Sequence, residues 1–414
     1  MNKGYFAALI RGLCIDLTGK PHIVVSEFEF KGNAPEGAMR VEISPAESEE
    51  SAVKSIRRFY DEWKMSGTTA IRSDPGDNGI LLPSCVALCT GTNSGGKPEA
   101  LYWIDGDFDS ARKRITEKNA VPRKENIAKK SAVVEISERA AVIKNKIVLV
   151  TGGAQGIGEE IVRNLAAAGA LVFIADINCE QAQKLAEQIN SAEKRTAALA
   201  LAVNVSDESS VEAMFNAIAE NAGGLDLCIS NAGVLKAGSV LEKELADFKF
   251  VTDINYTGFF VISKYAGRLL RMQHLAAPNW KTDIVQINSK SGLEGSNKNG
   301  AYAGGKFGGL GLVASFAMEL IEYNIKVNAI CPGNFLDGPL WSDPEKGLFV
   351  QYLNTGKVPG AKTAADVRSF YESKVPMRRG CTGKDLVRAI YYIVEQEYET
   401  GQAVPVTGGQ VMLH

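Results

Sequence analysis

Between residues 147 and 230 the apolar positions fall into short unbroken runs separated by periodic, half-polar stretches. Ile147-Val148-Leu149-Val150 leads into a glycine turn, a segment over 157–168 with apolar positions at helical spacing, and a second run at 171–175. Periodic segments at 179–189 and 209–222 then alternate with apolar runs at 198–203 and 225–229. Runs without polar alternation suit parallel strands covered on both faces, and the three-to-four-residue spacing between them marks helices. Later strands are predicted at 282–287, 326–330 and 403–406. The expectation for 143–414 is an α/β fold, a Rossmann-like doubly wound parallel sheet with helices on both faces.

Upstream the alternation is absent. A strand is predicted at 21–30, around Ile23-Val24-Val25. A helix is predicted at 47–65, where Val53, Ile56, Phe59, Tyr60 and Trp63 recur at helical spacing after Ser44-Pro45. Turn-forming residues dominate 74–79 and 90–98, and 121–130 turns basic and polar. This reads as a small α+β accessory domain at 1–120, joined by a linker at 121–142. It holds no catalytic constellation, which leaves oligomerisation, regulation or partner binding as its uses.

Composition narrows the functional classes. The chain has 414 residues, is 45% hydrophobic, and balances 46 Lys and Arg against 48 Asp and Glu. That is enough apolar material for a sizeable core, and too little net charge to attract nucleic acid or an anionic membrane generally. No run approaches the ~20 apolar residues a bilayer crossing needs. The apolar stretch at 5–10 is cut by Arg11, too short for a signal-peptide core, so a cytoplasmic protein is expected. Seven cysteines and three histidines show no paired ligand spacing beyond Cys85 and Cys89, so no metal site is expected. With histidine so scarce, another side chain must move protons.

The turn after the first strand reads Thr151-Gly152-Gly153-Ala154-Gln155-Gly156-Ile157-Gly158. Glycine allows a sharp turn and close approach of backbone to a pyrophosphate, which the N-terminus of the following helix then attracts. Asp176, at the end of the second strand, can accept from a ribose diol and would repel a 2′-phosphate, so NAD is favoured over NADP.

With Ser230-Asn231-Ala232-Gly233, Asn255, Ser289, Tyr302-Ala303-Gly304-Gly305-Lys306 and Pro332-Gly333 following in order, residues 143–414 resemble the short-chain dehydrogenase/reductase family. The resemblance implies an NAD-dependent oxidoreductase acting on a secondary alcohol, with Asn255, Ser289, Tyr302 and Lys306 as the catalytic set. Tyr302 would be the acid/base, its high intrinsic pKa of about 10 lowered by Lys306 and the oxidised nicotinamide. Ser289 would hold the substrate oxygen, and Asn255 would support a water linking Lys306 to solvent. Cofactor contacts are expected from Gly152, Gln155, Gly156, Ile157, Gly158, Asp176, Asn204, Val205, Asn231, Ala232, Gly233, Tyr302, Lys306, Pro332 and Gly333. Asn204 and Asp337 depart from the family pattern, where an Asp and a Thr are usual.

Tyr302 and Lys306 share a face only in a helix, yet Gly304, Gly305, Gly308, Gly309 and Gly311 each cost a helix about 1 kcal/mol relative to alanine. A helix is predicted nonetheless. In the family it often lies between subunits, which implies a homodimer or homotetramer.

Within the family, Gln286-Ile287-Asn288-Ser289-Lys290-Ser291-Gly292, Lys306-Phe307-Gly308-Gly309, Lys374-Val375-Pro376-Met377-Arg378-Arg379-Gly380-Cys381 and the stretch 406–412 are similar to sorbitol-6-phosphate 2-dehydrogenases. This implies interconversion of D-sorbitol 6-phosphate and D-fructose 6-phosphate. Lys290 and Lys298 are the candidate phosphate ligands, Arg379 a weaker one, and Asn297 and Asn299 could serve hydroxyls. The alternatives are a dehydrogenase of another sugar or polyol, a 3-oxoacyl carrier-protein reductase, and a non-enzymatic NAD(H)-sensing regulator.

Overall fold

The computed structural model describes residues 3–18, 21–28, 38–42, 48–65, 71–72, 81–82, 85–89, 100–105, 138–345, 347–354, 356 and 358–412. The turn-rich stretches at 74–79 and 90–98, and the expected linker up to residue 137, lie outside them.

From residue 147 the strands are β5 (Ile147–Thr151), β6 (Leu171–Asp176), β7 (Ala198–Ala202), β8 (Leu227–Ser230), β9 (Thr282–Ile287), β10 (Ile325–Pro332) and β11 (Ala403–Val406), numbered after the four N-terminal strands below. They form one sheet in the order β11-β10-β9-β8-β5-β6-β7, every adjacent pair parallel. Helices α3 (Gly156–Ala167), α4 (Cys179–Glu193), α5 (Glu208–Ala222), α6 (Leu245–Thr252), α7 (Gly258–Ala276), α8 (Gly300–Leu320) and α12 (Gly383–Glu395) flank it. Alternate residues of β5 divide between the faces: Ile147 and Leu149 join one core, Val148 and Val150 the other. The doubly wound fold expected from the apolar runs is the fold observed.

The chain runs from β5 outward through β6 and β7, then returns to start again at β8. That reversal opens a crevice between the carboxyl ends of β5 and β8, where ligands bind in such sheets.

The N-terminal residues form helix α1 (Lys3–Thr18), strands β1 (Ile23–Phe28), β2 (Met39–Glu42), β3 (Cys85–Cys89) and β4 (Ala100–Asp105), and helix α2 (Glu49–Met65). The sheet order is β1-β4-β3-β2, with β1 and β3 each antiparallel to β4 and β2 parallel to β3. This is an α+β unit, but it does not stand apart. Phe6, Leu9, Ile10, Val24, Tyr60 and Tyr102 belong to the same apolar core as Phe215, Ile262 and Leu269 of α5 and α7. Helix α1 lies so close on α7 that a Cβ on Gly12 would sit 2.4 Å from the Gln273 carbonyl oxygen. Arg11, with a fully buried side chain, meets both carboxylate oxygens of Asp226 at 2.9 and 2.8 Å. Arg57 and Glu49 add polar ties, to the Ala276 carbonyl at 2.8 Å and to Arg271 at 2.6 Å.

Helix α1 was not anticipated from its pattern. It is apolar on nearly every side because it is covered on nearly every side, so it lacks the polar stripe of a surface helix.

Candidate active site

The glycine turn between β5 and α3 is shaped by close backbone contacts. Gly152 and Gly156 have φ of +60° and +58°, a region that favours glycine. A Cβ on Gly158 would lie 2.0 Å from the Gly152 carbonyl oxygen. Asn231 ties the turn across the crevice, donating from Nδ2 to the Thr151 and Gly152 carbonyls at 3.0 and 2.9 Å. Thr151 Oγ1 in turn accepts the backbone N–H groups of Asn231 and Ala232. The result is a cradle without side chains at the N-terminus of α3, which fits a pyrophosphate. Gln155 is the extended residue entering that helix.

Asp176 ends β6 beside the turn. Its Oδ2 accepts the Ala154 N–H and its Oδ1 the Asn178 N–H, both at 3.0 Å, which fixes the carboxylate. The cap of α4 is Asn178, whose side chain accepts from Gln181, so Asp176 is not held there as a cap. Neither Ile177 nor Asn178 supplies a cation for a 2′-phosphate. Asn204 departs from expectation: both Ser206 N–H and Ser206 Oγ donate to its amide oxygen, which is therefore spent within its own loop. Val205 is buried against Gly258, and Gly333 follows β10 so close to Gln410 that a Cβ would meet its amide at 2.5 Å.

Three elements bring the proton-handling residues together. Ser289 follows β9, Tyr302 and Lys306 lie one turn apart on α8, and Asn255 sits in a π-helical turn, Asp253–Thr257, between α6 and α7. Helix α8 forms despite its glycines because it passes very near its neighbours. A Cβ on Gly308 would be 2.8 Å from the Tyr256 ring, and one on Gly309 2.6 Å from the Gln286 amide.

Ser289 Oγ accepts the Ser291 N–H at 3.1 Å, which leaves the hydroxyl proton to point elsewhere. Lys306, 5% exposed, donates to the Ile287 carbonyl at 2.8 Å, with Nζ 5.6 Å from the centre of the Tyr302 ring. Burial pulls the Lys306 ammonium down to about 8. The lowering expected of Lys306 together with an oxidised nicotinamide concerns the cofactor-bound site; in the protein alone another influence dominates. Burial raises the Tyr302 hydroxyl above its ordinary value, and the hydrogen bond with Ser289 only partly opposes it. The Asn255 amide is paired with the Val234 backbone, accepting its N–H and donating to its carbonyl, both at 2.8 Å.

The expected phosphate ligands are less free. Lys290 pairs with Glu294 at 3.0 Å. Lys298 is exposed, and its carbonyl holds the Gly238 N–H at 2.8 Å. Arg379 is committed to Asp385, which caps α12, at 2.6 and 2.9 Å. Asp337 pairs at 2.8 Å with Arg368. Sequence reasoning missed the helical cluster between β10 and α12, formed by α9 (Pro339–Ser342), α10 (Leu348–Asn354) and α11 (Ala364–Ser373) around Trp341, Phe349 and Val367. Its signal was available in the aromatic positions at 335, 341, 349, 352, 370 and 371.

Among the described residues no helix is long and apolar enough to cross a membrane. Comparison with known proteins agrees with the fold that carries the site. The short chain dehydrogenase family model matches residues 146–343. Sorbitol-6-phosphate 2-dehydrogenase of Escherichia coli (strain K12) is 34% identical over 271 residues, 65% of this chain and 99% of that protein. Meso-2,3-butanediol dehydrogenase of Serratia marcescens is 30% identical, over 58% of this chain and 96% of that one. Among solved structures, sorbitol-6-phosphate 2-dehydrogenase from Erwinia amylovora superposes with a TM-score of 0.59 at 37% identity, over 64% of this chain and 100% of that one. An actinorhodin polyketide ketoreductase solved with NADPH gives 0.57 at 25% identity, over 64% and 97%. These relatives are thus accommodated almost whole within about two thirds of this chain.

Proposed function

The chain belongs to the short-chain dehydrogenase family, and we propose that it interconverts D-sorbitol 6-phosphate and D-fructose 6-phosphate with NAD. It is an oxidoreductase that uses a nicotinamide cofactor and a small-molecule substrate. The observation that carries the proposal is the meeting of Ser289, Tyr302 and Lys306 at the crevice between β5 and β8, beside a cradle suited to a dinucleotide.

When bound, the nicotinamide supplies the acceptor for hydride from the carbinol carbon. Ser289, one of whose two lone pairs accepts the Ser291 N–H, donates its proton to the substrate oxygen. Tyr302 takes the hydroxyl proton in oxidation and returns it in reduction. Lys306, anchored to the Ile287 carbonyl, sets a cation beneath the tyrosine ring. With the Asn255 side chain held on the Val234 backbone, we place the proton path to solvent at the backbone of its π-helical turn, a feature common at functional sites.

The preference for NAD is supported by Asp176, fixed by two backbone N–H groups with no cation following it. Lys290 and Lys298 are proposed to meet the phosphate. The Lys290–Glu294 pair favours a second reading, an unphosphorylated polyol as substrate, since a phosphate must compete with that carboxylate. Assembly into a homodimer or homotetramer through α8 is supported by Gly304 and Gly311, where an added Cβ would meet no other element among the described residues within 4 Å, beside exposed Phe307 and Met318. The accessory unit at 1–120 is proposed to serve this fold as a permanent cover on α5 and α7.

The test is a panel: NAD or NADP, each with sorbitol 6-phosphate or sorbitol, followed by absorbance of the reduced cofactor. Turnover confined to NAD with the phosphorylated polyol supports the proposal. Equal rates with sorbitol transfer support to the second reading.

A further inference from the structure

One buried amide joins the strand that carries Ser289 to the helix that carries Tyr302 and Lys306, and no role above uses it. Asn288 is 3% exposed at the end of β9. Its Nδ2 donates to Gln286 Oε1 at 2.7 Å and to the Lys306 carbonyl at 2.9 Å. Its Oδ1 accepts the Ser289 N–H at 2.8 Å. An asparagine amide has two N–H donors, so both are in use, one on the helix and one on the strand.

The surroundings leave room for this amide and little else. A Cβ on Gly292 would stand 2.2 Å from Asn288 Oδ1, and one on Gly309 would stand 2.6 Å from Gln286 Nε2. The Asn288 backbone N–H is also taken, by the Ile330 carbonyl at 2.7 Å. A buried polar group satisfied at every end resists displacement, because moving any partner strands another without water to replace it.

We infer that Asn288 is a positioning residue: it holds Ser289 at a fixed offset from Tyr302 and Lys306, so that both hydroxyls reach one substrate oxygen. The inference rests on the proposed roles of those three residues. Asn288 is buried with its amide committed to Gln286, Lys306 and Ser289, so it acts through those neighbours. Its loss therefore degrades the alignment of the reacting groups more than it degrades binding.

The experiment is steady-state kinetics with NAD and sorbitol 6-phosphate on wild type, Asn288→Ala and Asn288→Asp, alongside NADH affinity by fluorescence and thermal melting. For Asn288→Ala, kcat should fall roughly ten- to hundredfold, the worth of the lost hydrogen bonds, while KM and NADH affinity stay within about twofold. Asn288→Asp keeps the size of the side chain and the Ser289 contact but turns a carboxylate toward two carbonyl oxygens. Its kcat should fall as well and recover relative to wild type as pH is lowered, when the protonated acid regains a donor. Should Asn288→Ala fail to fold, Asn288→Asp carries the same test. A kcat within twofold of wild type in the folded variants overturns the inference. So does a kcat loss matched by an equal loss of NADH affinity, which marks general loosening. Tyr302→Phe run in parallel separates the levels: if it turns over normally, the reading of the site has failed; if it is inactive while the Asn288 variants are normal, only this inference has failed.

Discussion

Replacing Arg11 with methionine tests whether the N-terminal unit is part of the fold or an attachment to it. The guanidinium contributes two bonds to Asp226, one from Nε to the His22 carbonyl at 2.8 Å, and a longer one to the Leu225 carbonyl. Without it, the hydrogen bonds left to Asp226 among the described residues are from the Ile147 N–H at 2.8 Å and the Trp280 Nε1–H at 3.0 Å, with Lys146 a more distant cation. Burial alone would push the Asp226 carboxyl up; Arg11, Lys146 and the Ile147 N–H outweigh it and hold the carboxyl below its usual range. Removing one partner of a fully buried pair typically costs about 3–5 kcal/mol, because a charge is left uncompensated. Against a total stability of about 5–15 kcal/mol, that is a large fraction. The assay is chemical denaturation of wild type, Arg11→Met, Asp226→Asn and the double variant. The double variant should recover part of the loss, since it removes the stranded charge. The pH dependence has a definite sign. Asp226 is depressed in the folded state, so the pair stabilises above the ordinary carboxyl range and is lost as pH falls through the lower folded value. The deficit of Arg11→Met should therefore shrink in acid. A deficit below about 1 kcal/mol at neutral pH would refute the idea that this buried pair unites the two parts.

Three further outcomes are expected. Asp176→Ala should weaken NAD far more than NADP; some loss for both is expected from the freed Ala154 and Asn178 N–H groups, but equal losses would show that Asp176 does not read the ribose. Lys290→Ala should raise KM for sorbitol 6-phosphate roughly ten- to hundredfold, the worth of a charged hydrogen bond, with sorbitol nearly unaffected. Lys306, held near 8 against an ordinary 10.5, makes the unfolded chain bind more protons between those values, so its contribution to stability rises with pH there; Lys306→Met should abolish that slope in melting curves compared between pH 8 and 10.

The parallel sheet was legible because its determinants are local. Ile147-Val148-Leu149-Val150 and residues 171–175 are apolar on both faces, and the helices after them carry one buried stripe each. The order of glycine turn, Asn231, Ser289, Tyr302 and Lys306 could likewise be read, since each residue sits at a strand end or on one helix face. What escaped depends on partners far along the chain. Arg11 stood in the sequence as the residue that ends a short apolar run; its meaning is Asp226, 215 positions away. Asn288 passed as one letter of a motif, because its function lies in the Lys306 carbonyl. The electrostatics at Tyr302 were legible only in part for a similar reason. The nearness of Lys306 to the ring could be inferred from a spacing of four, whereas the burial that raises the hydroxyl in the protein alone could not.

The most direct test of the account compares Tyr302→Phe with wild type in one cuvette format: NADH formation from NAD and sorbitol 6-phosphate, with NADH binding measured on the same samples. The account predicts that the wild type turns over, and that the variant binds NADH with unchanged affinity but forms essentially none. A variant that retains wild-type turnover would contradict it, for the proton would then be moving through some group other than Tyr302.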